Sequence, residues 1–366
     1  MQKGRSIDFS ILILTIILVL FGIVMVFSAS FYYAEQNYND QYFFFKKQII
    51  GAVAGLACMI FFMLFDYKKL AKFRYPLLIL SIALLGLVFI PGVGVKLNGS
   101  SRWIPLPGFN LQPVEVVKIA LIIFMSANIA GKKEKMKTFK FGVFPYLLIM
   151  GIICLLLFLQ PNFSAVISIG LLTFILIFVG GANILHLGVL GGSAGAALYL
   201  LLFTQEYRAN RILAFIDPWK YPSDQGYQLI QSLYSIGSGG IFGMGFGNSR
   251  QKFLFLPYGE SDFIFSIITE ELGFIGALCV IALFALLIWR GIRVAMRAPD
   301  MFGSMLAAGV VSIIAIQVLM NIAVVTGTIP PTGVSLPFLS AGNSSLVIFM
   351  SSIGVLLNIS KQCNTA

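Results

Sequence analysis

Apolar runs of about 20 residues, each bounded by charge, Pro or Gly, recur along nearly the whole of this 366-residue chain. That is the length needed to cross a bilayer as a helix. With 58% hydrophobic and only 11% charged residues, the chain has too little polar surface to cover a soluble core of this size. The sequence therefore predicts an all-α polytopic membrane protein. Ten spans are expected, at about 8–30, 45–65, 73–91, 113–130, 141–160, 163–181, 184–204, 262–289, 302–327 and 342–360. The first resembles a signal peptide in having Lys3 and Arg5 before it and "SAS" after it, but Phe9 to Phe27 is longer than an h-region of about 7–15 residues.

Ten spans place both termini on one side of the membrane. If that side is cytoplasmic, it carries fifteen of the 25 basic residues, among them Lys68, Lys69, Lys72 and Arg74, the Lys132–Lys140 group, and Arg290, Arg293 and Arg297. Only Asp8, Asp66, Glu134 and Asp300 oppose them there. The positive-inside rule thus predicts cytoplasmic termini. It also accounts for the net charge of +11 without nucleic acid. Cys58, Cys154, Cys279 and Cys363 show neither disulfide nor zinc spacing, and the lone His186 cannot build a metal site. The chain reads as one transmembrane domain, 1–366, with outer loops at about 91–112 and 205–261. A loop as long as the second is usually functional.

The candidate chemistry gathers at that outer face. Pro113 suits the first turn of a helix, which puts Glu115 and Lys118 one turn into the fourth span, on one face and able to pair. Arg102 and Trp103 are placed to approach the same mouth. The large loop balances Arg208, Arg211, Lys220, Arg250 and Lys252 against Glu206, Asp217, Asp224, Glu260 and Asp262. Within it, "YQLIQSLYSIG" predicts an amphipathic helix on the membrane surface. The run "GSGGIFGMGFGNS" lacks the βαβ context of a dinucleotide site. Its amides could still approach phosphates, with Arg250 and Lys252 suiting the same anion.

"LPYGESDFIFSIITEEL" (256–272) puts Asp262 at the entry to the eighth span, where a partly desolvated carboxylate could take a proton from a hydroxyl. On an ideal helix Glu270 would lie about 12 Å deeper, rotated by roughly 80°. A close carboxylate pair with Asp262 is thereby excluded. Glu270 and Glu271 are expected in buried pairing or lining a cavity. "TGTIPPTGVSLPFLSAGNSSL" predicts a broken, re-entrant element before the last helix.

Taken together, "NGSSRWI", "QPVEVVK", "GYQLIQSLYSIGSGGIFGMGFGNSRQK", "SDFIFSIITEELG" and "PPTGVSLPFLSAGNSSL" resemble the SEDS family (shape, elongation, division and sporulation), which includes FtsW, RodA and SpoVE. The "PPTGVSLPF" and "NGSSRWI" forms look closer to its division and sporulation branch. The resemblance implies polymerisation of lipid II at the outer face of the bacterial cytoplasmic membrane, with Asp262 as general base and undecaprenyl pyrophosphate as leaving group. Glu115 and Lys118 match the family's Gln-Pro-Ser-Glu motif, and Ser344 and Ser345 its Gly-Gly-Ser-Ser pattern. The chain departs from the family at Tyr258 and Glu260, where glutamate and histidine are common, and at Asn162 and Asn343.

Pyrophosphate leaves without a proton, so such a reaction needs a base and positive charge and no general acid. Candidates for the anion are Arg102, Lys118, Arg208, Arg211, Arg250 and Lys252. No organic cofactor is required, though a divalent cation (Mg or Mn) could assist. The implied partners are a class B penicillin-binding protein, supplying transpeptidation, and other cell-wall or divisome proteins. The rival readings are a flippase for lipid-linked precursors, disfavoured because the ionisable residues cluster away from the midplane, and a scaffold for cell-wall enzymes.

Overall fold

Asp8 starts the first helix by accepting hydrogen bonds from the amides of Ser10 and Ile11, at 3.0 and 3.3 Å. From there a computed structural model describes residues 6–97, 100–106, 109–203, 214–223 and 226–363. The helices are α1 (Phe9–Tyr38), α2 (Phe43–Leu64), α3 (Arg74–Leu87), α4 (Pro113–Lys132), α5 (Phe144–Leu159) and α6 (Phe163–Val179). They continue as α7 (Ile184–Phe203), α8 (Tyr227–Gly239), α9 (Ile264–Arg297), α10 (Met301–Val325) and α11 (Asn343–Gln362). All ten predicted spans are helical, and eight of the described segments are long and apolar enough to cross a membrane. The Asp8 amide donates to Ser360 Oγ at 3.0 Å, so α1 begins at the end of the bundle where α11 finishes.

The most enclosed helices are α4, α10 and α11. Their buried sides mix aliphatic residues with Ser126, Gln317 and Asn321, polar groups that a lipid-facing surface would not tolerate. Between α3 and α4 the chain adds a small antiparallel sheet that the apolar pattern does not predict. It has three strands in the order β1 (Val95–Leu97), β2 (Ser100–Leu106) and β3 (Phe109–Leu111). Ile104 faces Leu111 and Val95 faces Trp103, with a bulge beside Val95.

Helix α9 is broken at Gly273 (φ 69°, ψ −168°). The carbonyls of Glu270 and Glu271 lose their helical donors, Phe274 and Ile275, and accept instead from the amides of Met244 and Gly245 at 2.9 and 3.0 Å. Phe274 and Ile275 in turn donate to the carbonyls of Gly240 and Ile241, at 2.9 and 3.2 Å. The glycine run thus docks into the break and satisfies all four groups, as a low-dielectric setting demands. A Cβ on Gly273 would lie 2.3 Å from the Gly243 nitrogen, so only glycine permits the approach.

The predicted amphipathic helix forms as α8, but its inner face meets protein. Ser232 Oγ lies 2.7 Å from both Ser266 Oγ and the Val325 carbonyl, and Ser235 Oγ donates to the Ser266 carbonyl. Hydroxyls placed among the leucines let the helix bond to α9 and α10, where a lipid surface would offer no such acceptors. Residues 326–342, between α10 and α11, are non-helical, yet Leu336, Phe338, Leu339 and Ser340 are buried.

Candidate functional site

The segment before α9 is shaped by a tight turn. Tyr258, with φ at +59°, offers its carbonyl to the amides of Ser261 and Phe263 at 3.1 and 3.2 Å. The non-helical segment 326–342 grips this turn. Ala341 N donates to the Glu260 carbonyl at 2.9 Å, and Ser340 Oγ donates to the Ser261 carbonyl at 2.6 Å while accepting from Leu336 N. Asn321 Nδ2 donates to the carbonyls of Asp262 and Val334. Every residue from Glu260 to Asp262 is therefore held through its backbone, leaving the Asp262 side chain free to act.

That side chain is half-buried and lies outside the spanning helices. Burial pushes its carboxyl up to about 6, while the positive charge of Arg102 pulls the other way. Arg102 projects from β2, with Nε donating to the Gln160 carbonyl at 3.3 Å and Nη2 to that of Pro161. The sheet and the α5–α6 turn thus carry a guanidinium into electrostatic reach of the acid. Gly333 (φ 70°) completes the surround: a Cβ there would stand 3.2 Å from Asp262 Oδ2. Glu260 is also half-buried, and its carboxyl is raised to about 6 by burial and, after its own backbone hydrogen bond lowers it, by Asp262. It lines a cavity of about 240 Å³ with Tyr33, Leu256 and Tyr258.

Glu115 and Lys118 meet as the i, i+3 spacing predicts, Nζ to Oε1 at 2.7 Å, both about 5% exposed. Glu115 Oε2 has no hydrogen-bond partner among the described residues. Ser344 is buried at the start of α11, its Oγ 3.4 Å from the Gln112 amide that leads into α4. Ser345 is half-buried beside it. Arg250 is exposed, its backbone amide donating to Glu270 Oε1.

Lys252 departs from its expected role as an anion ligand. Its side chain is fully buried, with Nζ 3.0 Å from Glu271 Oε1, donating also to the Gly247 carbonyl and standing 4.8 Å from the centre of the Phe31 ring. Its charge is spent inside the protein. Likewise the Met244 and Gly245 amides serve the α9 break, leaving them no phosphate role. Glu270 accepts from Ser249 Oγ and the Arg250 amide, with Ser235 Oγ 3.0 Å away, and Glu271 accepts from Ser28 Oγ, so both acids are engaged in buried pairing. Arg208 and Arg211 lie outside the described residues.

Sequence reasoning missed Asn321 and Ser340. The signal for Asn321 was a lone amide in the apolar run "VLMNIAVV", where a polar side chain must find partners.

The fold is that of a polytopic helical membrane protein, with a loop acid clamped by a buried, non-helical segment and a guanidinium in electrostatic reach. The chain belongs to the FtsW/RodA/SpoVE family, described as "Cell cycle protein", whose model matches residues 9–365. It is 43% identical to "Stage V sporulation protein E" of Bacillus subtilis over 98% of each chain. It is 42% identical to "Probable peptidoglycan glycosyltransferase FtsW" of a Geobacter species over the full length of both. Among solved structures, it resembles a chain from "Structural coordination of polymerization and crosslinking by a peptidoglycan synthase complex" (TM-score 0.80, 26% identity, 97% of this chain and 98% of that one). It also shares the fold of the rod shape determining protein RodA of Thermus thermophilus (TM-score 0.72, 24% identity, 99% of each).

Proposed function

We propose that this chain is a peptidoglycan glycosyltransferase that polymerises lipid II at the outer face of the bacterial cytoplasmic membrane, its termini cytoplasmic, in division or sporulation. Asp262 accepts the proton of the attacking sugar hydroxyl, and undecaprenyl pyrophosphate leaves. The observation that carries this reading is the raised, backbone-clamped Asp262 with Arg102 in reach. A carboxyl near 6 is ionised at neutral pH yet basic enough to help, and the reaction needs no partner acid.

Arg102, Arg250 and the loop arginines Arg208 and Arg211 are the proposed sources of charge for the pyrophosphate; Lys118 is already paired with Glu115, and that pair, with Ser344 and Ser345, shapes the same mouth. A divalent cation would arrive with the substrate, since Mg²⁺ is commonly held by one or two carboxylates plus phosphate oxygens. Glu260 is the carboxylate that would hold it with those oxygens, leaving Asp262 as the base, and it would neutralise charge on the leaving group. Among the described residues no group of three His, Cys, Asp or Glu could hold such an ion alone. The named complex that couples polymerization with crosslinking supports a class B penicillin-binding protein as partner.

The test is purified chain with lipid II, with and without divalent metal and partner. Asp262→Asn should lower strand synthesis by about 10²–10⁴-fold while substrate binding and thermal stability persist. Wild-type-like strands from the variant would refute the assignment, and lipid flipping in liposomes without strand growth would replace it with transport.

A further inference from the structure

At the opposite end of the bundle from Asp262, where α1 begins and α9 and α11 finish, lies a second cavity of about 340 Å³. This is within the range of about 300–1,000 Å³ usual for ligand sites. Arg290, Arg293 and Arg297 line it from α9, Asp8 and Ser10 from the start of α1, and Ser360 from α11. The three arginines sit at successive turns of the helix, so their guanidinium groups converge on one side.

Three guanidinium groups face one carboxylate, and that carboxylate is already committed. Asp8 Oδ1 caps α1, while Oδ2 pairs with Arg290 Nη2 at 2.8 Å. Arg290 Nε is buried and has no hydrogen-bond partner among the described residues. Arg293 lies over the Trp289 ring at 4.9 Å. Neither Arg293 nor Arg297 makes an ion pair among the described residues. Among the described residues the cavity therefore carries about two uncompensated positive charges, beside the Ser10 hydroxyl. On the outer side of the same helix end, Trp289, Ile292 and Met296 are exposed apolar residues. Basic pockets between helices with an apolar flank are how membrane proteins hold anionic headgroups.

We propose that this cavity binds a phosphate group, and that its source is the headgroup of an anionic phospholipid whose acyl chains lie along Trp289, Ile292 and Met296. The guanidinium groups of Arg293 and Arg297 hold the phosphate oxygens, and Arg290 orients the pocket through Asp8. The site is independent of the glycosyl-transfer reading, so Asp262→Asn should leave it intact.

The experiment titrates the full chain in detergent with phosphatidylglycerol, phosphatidylcholine or inorganic phosphate, reading bound adducts by native mass spectrometry and the unfolding midpoint. Wild type should favour phosphatidylglycerol over phosphatidylcholine. Arg293→Gln with Arg297→Gln should weaken that binding by roughly tenfold or more, whereas Arg293→Lys with Arg297→Lys should keep most of it. Arg297→Gln alone, at an exposed position, gives a smaller loss and guards against a misfolded double variant. Saturable binding of inorganic phosphate that is lost in the same variants would keep the phosphate site but make its occupant a soluble phosphate. Equal lipid and phosphate binding by wild type and both glutamine variants would overturn the proposal.

Discussion

Asn321 Nδ2 lies 2.7 Å from the carbonyl oxygen of Asp262 and 2.7 Å from that of Val334. One amide on α10 thus ties the loop that carries the acid to the non-helical segment that follows the helix. Ser340 makes the same kind of bridge one residue earlier, from Ser261 to Leu336. Asp262 is positioned by these cross-links as much as by the helix it precedes.

Asn321→Ala should therefore cost activity more than fold. It strips the donor from two carbonyls in the interior, a penalty of about 1–3 kcal/mol when no water replaces it. The expected result is a folded chain with a lowered unfolding midpoint and strand synthesis reduced by roughly tenfold or more, since a misplacement of about 1 Å can cost 10²-fold. Ser340→Ala should act in the same direction. Kinetics on lipid II beside thermal unfolding would show it, and an unchanged rate would mean the clamp does not position the acid.

Gly333→Ala probes the same pocket from its far wall. The residue sits at φ 70°, where a Cβ is strained by roughly 1–2 kcal/mol. The added methyl would also press within 3.2 Å of Asp262 Oδ2. A rate loss larger than the stability loss is expected, measured on the same preparation.

The buried pair of Lys252 and Glu271 calls for a double-mutant cycle. Lys252→Met strands a carboxylate in the interior, which typically costs about 3–5 kcal/mol. Adding Glu271→Gln removes the charge while keeping an acceptor for Ser28 Oγ. The double variant should recover much of the lost midpoint. Failure to recover would show that Lys252 contributes through its contacts with Gly247 and Phe31 more than through charge.

The spans were legible because a 20-residue apolar run admits few alternatives in a bilayer, and the place of Asp262 at the entry to a helix because polar loop meets apolar run there. Helix geometry also separated Glu270 and Glu271 from the site. What stayed hidden was pairing across the chain. Nothing local to Lys252 marks Glu271 as its partner, 19 residues away, and nothing in "GSGGIFGMGFG" says that its amides complete a helix broken at Gly273. The sheet of residues 95–111 was equally silent, its strands being only three to seven residues long.

Stability and activity should respond to pH with opposite slopes. Burial raises the carboxyls of Asp262 and Glu260 to about 6, above their unfolded values near 4. Between about pH 4 and 6 the folded chain therefore holds protons that the unfolded chain has released. The stability these groups contribute is full below about 4 and declines as pH rises through 6. On the proposed mechanism glycosyl transfer runs the other way, because Asp262 must be ionised to act as base: kcat/KM should climb through about pH 6 and level off above 7. Glu260→Gln should keep an inflection and move it to lower pH, since burial is the chief cause that raises Asp262 and the repulsion within the acid pair is removed. Asp262→Asn should remove that inflection and, by deleting the charge that helps raise Glu260, shift the remaining stability transition to lower pH. A rate profile flat from pH 5 to 8 would show that Asp262 is not the group whose proton governs the reaction.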